Sequence, residues 1–243
     1  MKRILFLTAA SAIALNLASA QTPEPFFPSK AGTVLEYEMR DGATGKPLMF
    51  TRDSLSEFTG DFSKGGAVIV NTTRYADDTL TVRANEVMKF EDFEVIYDYA
   101  ASMEESLGDM VRQSLTIAGA GEADLAEVDK LMEEVSMTGE CRGIPAELAV
   151  GMELPDYDVS VKVMFVTTKM NCKDRKVTAR ETVTTPAGSF DCFVVEEKTT
   201  VKTMMVNEKS NSKTWYARGV GMVRQEMWDR KKLVSVTELT AVR

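Results

Sequence analysis

The sequence predicts a mainly β fold of the α+β class: a curved antiparallel sheet, half-barrel-like, with one or two central helices packed on it. Short strand-like segments separated by turn signals fill both long parts of the chain. No helix intervenes between neighbouring strands, as a parallel crossover would require. A central stretch at about 101–134 instead carries apolar residues at helical spacing, namely Met103, Leu107, Met110, Val111 and Leu115.

The N-terminus has the pattern of a secretory signal peptide. Lys2 and Arg3 supply a positive start, Ile4 to Leu17 is an apolar core, and Ala18-Ser19-Ala20 is a small-residue cleavage site. The apolar run is too short for a membrane anchor. We therefore expect export to the periplasm with cleavage after Ala20. We expect no transmembrane segment in the mature chain.

The chain divides into three predicted regions. Residues 1–20 form the signal peptide, and 21–31 form an extended, Pro-rich lead-in whose Phe26 and Phe27 dock on the core. Residues 32–243 form a single β-rich domain with a helical insertion at about 101–134. This length suits one large β domain.

Charge and composition exclude several kinds of function. The net charge is −8, and loss of Lys2 and Arg3 makes the mature chain more acidic. Such a chain repels nucleic acid and anionic lipid, so we expect no nucleic-acid partner. The chain contains no histidine, which excludes Ser-His-Asp and Cys-His catalysis and the common histidine zinc sites. We expect no catalytic residues, no metal ligands and no cofactor.

Three cysteines allow at most one internal disulfide bond. If hairpins turn near Asp174 and Ala187, Cys172 lies roughly 20 Å from Cys192, too far for a disulfide. Cys141 could pair with either of them. Three buried free thiols are an equally good interpretation.

Two glycine-containing motifs are interpreted as backbone devices. Pro186 and Gly188 suit a turn between two strands, because proline presets φ and glycine accepts a positive φ. Gly219 and Gly221 interrupt an aromatic-rich strand after Trp215, where glycine commonly marks a bend that curls a sheet.

Three segments together carry a family resemblance. They are Ile144-Pro145-Ala146-Glu147-Leu148 with Gly151 and Leu154-Pro155-Asp156, then Glu181-Thr182-Val183-Thr184-Thr185-Pro186-Ala187-Gly188-Ser189-Phe190-Asp191-Cys192, then Trp215-Tyr216-Ala217-Arg218-Gly219-Val220-Gly221-Met222-Val223. They resemble an exported periplasmic Bacteroidetes family of unknown function, similar to TapB-type proteins. The resemblance covers about Gly32 to Val242. It implies a curved antiparallel sheet with helices on its concave side, and no activity.

Three functions follow as hypotheses. The first is a non-enzymatic periplasmic protein that binds an apolar or amphipathic ligand, such as a lipid, in the curved sheet. Its ligand-binding residues are unknown. The alternative is a structural or protein-interaction module of the cell envelope. The third is a hydrolase that uses carboxylates alone, which requires two close acids in a cleft.

Overall fold

The computed structural model describes residues 24–77, 81–102, 106, 136–163 and 166–243. These residues form thirteen strands. The strands are β1 Val34–Asp41, β2 Pro47–Asp61, β3 Lys64–Tyr75, β4 Thr81–Glu91, β5 Glu94–Asp98, β6 Ser136–Thr138, β7 Cys141–Pro145, β8 Tyr157–Val163, β9 Val166–Thr185, β10 Gly188–Lys202, β11 Asn207–Ala217, β12 Gly221–Asp229 and β13 Lys232–Val242.

All thirteen strands belong to one antiparallel sheet, in the order β6-β8-β9-β10-β11-β12-β13-β1-β2-β3-β4-β5-β7. The strands β6 and β7 lie at opposite edges of this sheet, yet only Gly139 and Glu140 separate them in sequence. From Thr138 at the end of β6 to Cys141 at the start of β7 the chain can span at most about 11 Å. The two edges therefore lie side by side, and the sheet curls around an interior.

The predicted α+β class, with one or two central helices, is wrong. Of the described residues, 73% lie in strands and 3% in one short helix. That helix comprises 99–102 together with Ser106. The prediction rested on the spacing of Met and Leu at about 101–134, most of which lies outside the described residues. An antiparallel sheet was the correct part of the prediction.

The short helix caps a strand edge. Beyond Asp98 the strand β5 no longer covers β4, so backbone N–H groups of β4 lose their strand partner. The N–H of Val87 donates to Ser102 Oγ at 2.8 Å, and the N–H of Asn85 donates to Ser106 Oγ at 2.8 Å. The two hydroxyls thus satisfy donors that would otherwise be unpaired.

The lead-in docks on the core, as the sequence predicts. Phe26 and Phe27 are both buried, and they enter different apolar clusters. The Phe27 ring lies 5.4 Å from that of Phe90, and the Phe26 ring lies 5.8 Å from that of Phe193, both edge to face. Because its two aromatic anchors join separate clusters, this segment ties the two halves of the sheet together.

Arg175 of β9 joins the two edges of the sheet. Its side chain is 3% exposed, and its guanidinium donates to the carbonyls of Gly143 at 2.8 Å and Pro155 at 2.9 Å. The guanidinium also pairs with Glu197 at 3.3 Å and lies 5.0 Å from the ring centroid of Tyr157. Gly143 belongs to β7, so this side chain connects strands from opposite edges.

Replacement of Arg175 tests this role. We expect Arg175→Ala to lower the free energy of unfolding by about 2–3 kcal/mol, because it leaves two carbonyls unpaired and removes the cation beside the half-buried carboxylate of Glu197. Urea unfolding followed by circular dichroism measures the change. Arg180→Ala is the matched control, since Arg180 pairs with Asp191 on the exposed surface. We expect it to change stability little, and equal losses would contradict the assigned role.

Candidate functional site

The interior of the curled sheet contains a cavity of about 370 Å³. One wall comes from β1 to β5, and the other comes from β11 to β13. The lead-in closes part of it through Phe26, Phe27 and Pro28. The lining combines apolar side chains with a few polar ones, a composition typical of small-molecule sites. The apolar members include Leu35, Met39, Met49, Ile69, Met88 and Met222.

Strand periodicity places two carboxylates in this cavity. Asp53 lies two residues before Leu55 on β2, and Glu86 lies two residues before Met88 on β4. Leu55 and Met88 are core residues, 2% and 1% exposed. Because alternate residues of a strand share a face, Asp53 and Glu86 point to the same interior, and both line the cavity.

A chain of side-chain hydrogen bonds fixes Asp53. Asn71 Nδ2 donates to Asp53 Oδ1 at 2.7 Å, and Thr73 Oγ1 donates to Asn71 Oδ1 at 3.0 Å. Thr73 also hydrogen-bonds Thr51 at 3.3 Å. The backbone register places Asp53 opposite Asn71 and Thr51 opposite Thr73. These polar residues thus form a ladder across β2 and β3.

Burial makes both carboxyl groups weaker acids than exposed carboxyl groups. Burial raises the pKa of Asp53 to about 6, against the opposing effect of the hydrogen bond from Asn71. Burial, followed by the charge of Asp53, raises the pKa of Glu86 to about 7. Within the described part of the chain, no lysine or arginine forms an ion pair with either carboxylate. The two groups therefore change protonation near neutral pH.

Three tyrosines complete the polar part of the lining. Burial raises the pKa values of Tyr37, Tyr97 and Tyr216 well above their usual range, so their hydroxyls stay neutral. Tyr37 Oη donates to the carbonyl of Met222 at 3.1 Å, which fixes this ring across the cavity. The site thus presents acids that accept hydrogen bonds or a positive charge, beside neutral hydroxyls.

The glycine motifs singled out from the sequence lie in hairpin turns. Pro186 is in the turn between β9 and β10, and Gly188 begins β10 with φ of +137°. Gly219 and Gly221, with φ of +67° and +99°, lie at the turn between β11 and β12. The strand therefore does not bend at these glycines but reverses. The N–H of Gly219 donates to the carbonyl of Pro25 at 2.8 Å, so this turn holds the lead-in.

All three cysteines are free and buried. The predicted hairpin near Asp174 is absent, because β9 runs unbroken from Val166 to Thr185. Cys192 lies opposite Glu181, which is on the order of 30 Å along β9 from Cys172. Burial raises the pKa of Cys172 and of Cys192 to about 11, so these thiols are poor nucleophiles.

The residues that sequence reasoning missed are Asp53, Asn71 and Glu86. Their signal was present, since each is a polar residue in the inward phase of a strand: Asp53 precedes Leu55 by two and Glu86 precedes Met88 by two. The described residues contain no cluster of three or more potential His, Cys, Asp or Glu metal ligands. They also contain no helix of the length and apolarity needed to cross a membrane.

Two solved structures share the all-β fold of this chain. A protein of Bacteroides fragilis described as exported, with a YmcC-like fold, has a TM-score of 0.64 at 20% identity, covering 90% of this chain and 99% of the other. A protein of Parabacteroides distasonis described as a lipoprotein has a TM-score of 0.65 at 21% identity, covering 92% and 100%. These values show a shared fold alone.

The chain belongs to the DUF3108-like family, whose sequence model matches residues 30–239. This agrees with the resemblance to exported Bacteroidetes proteins of unknown function. No curated protein matches the sequence significantly.

The buried acids predict an unusual pH dependence of stability. Both pKa values are raised on folding, so neither group destabilises the fold below about pH 4, where the carboxyls are neutral in both states. As the pH rises through the raised values of about 6 and 7, the folded state loses stability. Each group contributes a loss of about 2–3 kcal/mol.

The double variant Asp53→Asn with Glu86→Gln tests this. We expect it to be more stable than the wild type at pH 8, with little difference at pH 4. Thermal and urea unfolding across this range measure the difference. Asp77→Asn is the control, because Asp77 is exposed on a turn. A double variant with the wild-type pH profile would contradict the assigned pKa shifts.

Proposed function

We propose that this chain is a periplasmic, non-enzymatic protein that binds an amphipathic small molecule in the interior cavity. The ligand's cationic or hydrogen-bond-donating head lies against Asp53 and Glu86, and its apolar body lies against the methionines and aromatic rings. The observation that carries the proposal is the pair of half-buried carboxyls that line the cavity without a cationic partner among the described residues.

The free-energy cost of burying this pair of carboxylates favours a bound ligand. A buried carboxylate without a counter-charge destabilises the fold, and two neighbouring ones also repel each other. Strongly shifted acids in a cavity are a common feature of binding and catalytic sites. A bound cation lowers both pKa values and offsets the cost of burial. An apolar hydrocarbon alone would leave this cost in place.

The cavity also suits the ligand in size and in wall chemistry. Its volume of about 370 Å³ lies at the small end of the range for ligand pockets. Methionines dominate the apolar part of the lining, and their flexible side chains adapt to ligands of varied shape. Phe27 and Pro28 line the cavity from the lead-in, so movement of this segment would open a path to it.

Export through the signal peptide ending at Ala20, residence in the periplasm and similarity to TapB-type proteins belong to the same proposal. The exported and lipoprotein descriptions of the two structural neighbours support the first two. The alternative of an envelope structural or protein-interaction module predicts no ligand in the cavity.

Octylamine, octanol and octanoate separate the requirements for the head group. We expect octylamine to bind most tightly, since it pairs with the carboxylates, and octanoate to bind least. Isothermal titration calorimetry measures the affinities. Octylamine binding should weaken about tenfold or more from pH 8 to pH 5, because both carboxyls become protonated.

The double variant Asp53→Asn with Glu86→Gln should abolish the preference for the amine while retaining octanol binding. Asp77→Asn should bind as the wild type does. If octylamine fails to bind, or if it binds equally to the wild type and the double variant, the cavity does not serve as the proposed site.

A carboxylate-dependent hydrolase is the second candidate, because the same pair provides two coupled acids. Such an enzyme requires one protonated and one ionised carboxyl near the same bond. Chromogenic glycosides incubated at pH 6–7, between the two raised pKa values, provide the test. Product release that either Asp53→Asn or Glu86→Gln alone abolishes would favour the enzyme over the binding protein.

A further inference from the structure

Five hairpin turns lie at the same end of the sheet. In an antiparallel meander alternate turns fall at the same end, and the register β13–β1 continues this alternation across the sheet. We call this the cationic end and define it by the described residues of the five turns and their flanks: 40–48, 74–77, 81–83, 162–163, 166–169, 202–209 and 229–234. The turns at the opposite end include those at Pro186 and Gly219.

The charge at the cationic end is opposite to that of the whole chain. Its described residues include eleven Lys or Arg residues and four Asp or Glu residues, whereas the chain as a whole has a net charge of −8. All eleven cations are exposed. The densest run is Arg230-Lys231-Lys232 in the turn between β12 and β13. The overall charge, which by itself disfavours an anionic lipid partner, therefore conceals a strongly positive surface.

Exposed apolar side chains concentrate at the same end. Of twelve large apolar side chains that are exposed among the described residues, eight belong to the cationic end. These eight are Leu48, Tyr75, Val82, Val166, Met204, Met205, Val206 and Val234. Single exposed apolar residues need no explanation, but a concentration of this kind marks an interaction surface.

The turn between β10 and β11 extends beyond the neighbouring strand β12. Pairing of β11 with β12 begins at Asn211 opposite Trp228, so the first four residues of β11 extend about 13 Å beyond it. Met204 and Met205 at the tip are 81% and 96% exposed. No other large apolar side chain of the described residues is as exposed.

Three backbone N–H groups of this tip have partners within it. The N–H of Thr203 donates to the carbonyl of Val206 at 2.8 Å. Thr203 Oγ1 accepts from the N–H groups of Met205 at 3.3 Å and Val206 at 3.1 Å. Backbone groups that enter an apolar phase need such partners, because no water is available there. These internal bonds lower the cost of moving the tip out of water.

We propose that the cationic end docks on an anionic lipid surface, with Met204 and Met205 inserted among the lipids. Lysines and arginines around an apolar tip match the two layers of such a surface: the headgroups attract the cations, and the region below accepts the methionines. The charge complementarity selects anionic over neutral lipid. This surface is separate from the interior cavity, and the proposal does not depend on a ligand there.

Vesicle co-sedimentation tests the proposal with the exported protein recovered from the envelope fraction. We expect binding to vesicles of phosphatidylethanolamine with phosphatidylglycerol, and little binding to phosphatidylcholine vesicles. Higher salt should weaken the binding. Lys231→Gln with Lys232→Gln should weaken it about tenfold or more, since each cation near the surface contributes about fivefold. Met204→Ser with Met205→Ser should weaken vesicle binding at low and at high salt alike.

The control variants lie at the opposite end. Lys30→Gln with Lys64→Gln removes the same charge, and Val150→Ser with Met152→Ser removes exposed apolar side chains. All variants have the same N-terminus, so any contribution of that segment cancels. We expect the controls to bind as the wild type does. Equal binding to neutral and anionic vesicles, or equal losses in both sets of variants, would overturn the proposal.

A fluorescence measurement gives a direct readout of insertion. Met205→Trp should show a blue shift on addition of anionic vesicles and protection from an aqueous quencher. Because Met205 is almost fully exposed, this substitution should not disturb the fold. Val150→Trp is the matched probe at the opposite end and should show neither change. A Trp at 205 that stays accessible to the quencher while the protein is bound would exclude insertion.

Discussion

The interior of this protein depends on the meeting of the two edges of its sheet. Gly139 and Glu140 join the edge strands covalently, and the Arg175 guanidinium joins β9 to the carbonyl of Gly143 on β7. A buried arginine is costly unless each of its donors is paired, and here Pro155, Gly143 and Glu197 pair them. Without this closure the sheet would have no interior and Asp53 and Glu86 would be solvated.

Acidic groups of the interior and basic groups of the cationic end lie in separate parts of the molecule. The interior holds acids in a low-dielectric setting, where burial keeps their pKa values near neutral pH. The cationic end holds the opposite charge in full contact with solvent. An antiparallel meander permits this separation, because side chains on one face of the strands line the interior while alternate turns collect at one end.

The sequence was sufficient for the antiparallel sheet and for the docking of Phe26 and Phe27. The sequence was insufficient to predict that the two edges of the sheet meet. The strands β6 and β7 look like a single strand around Met137 and Cys141 until their partners, which lie at opposite edges, are known. The predicted α+β class failed because the described residues are almost entirely strand with one short helix, and the apolar residues that suggested central helices lie mostly outside them. Asp53 and Glu86 were hidden among 37 acids, and only strand register shows which acids face inward.

The pairing of β1 with β13 sets the order in which this chain can fold. These strands are the first and the last, and Leu35 lies opposite Val242. During synthesis the strand β1 emerges early, and one of its edges has no partner until β13 at Lys232–Val242 has been made. Such long-range pairing makes folding slow and leaves an unpaired, aggregation-prone strand edge exposed. The free edge of β1 therefore needs protection in the nascent chain until β13 is complete.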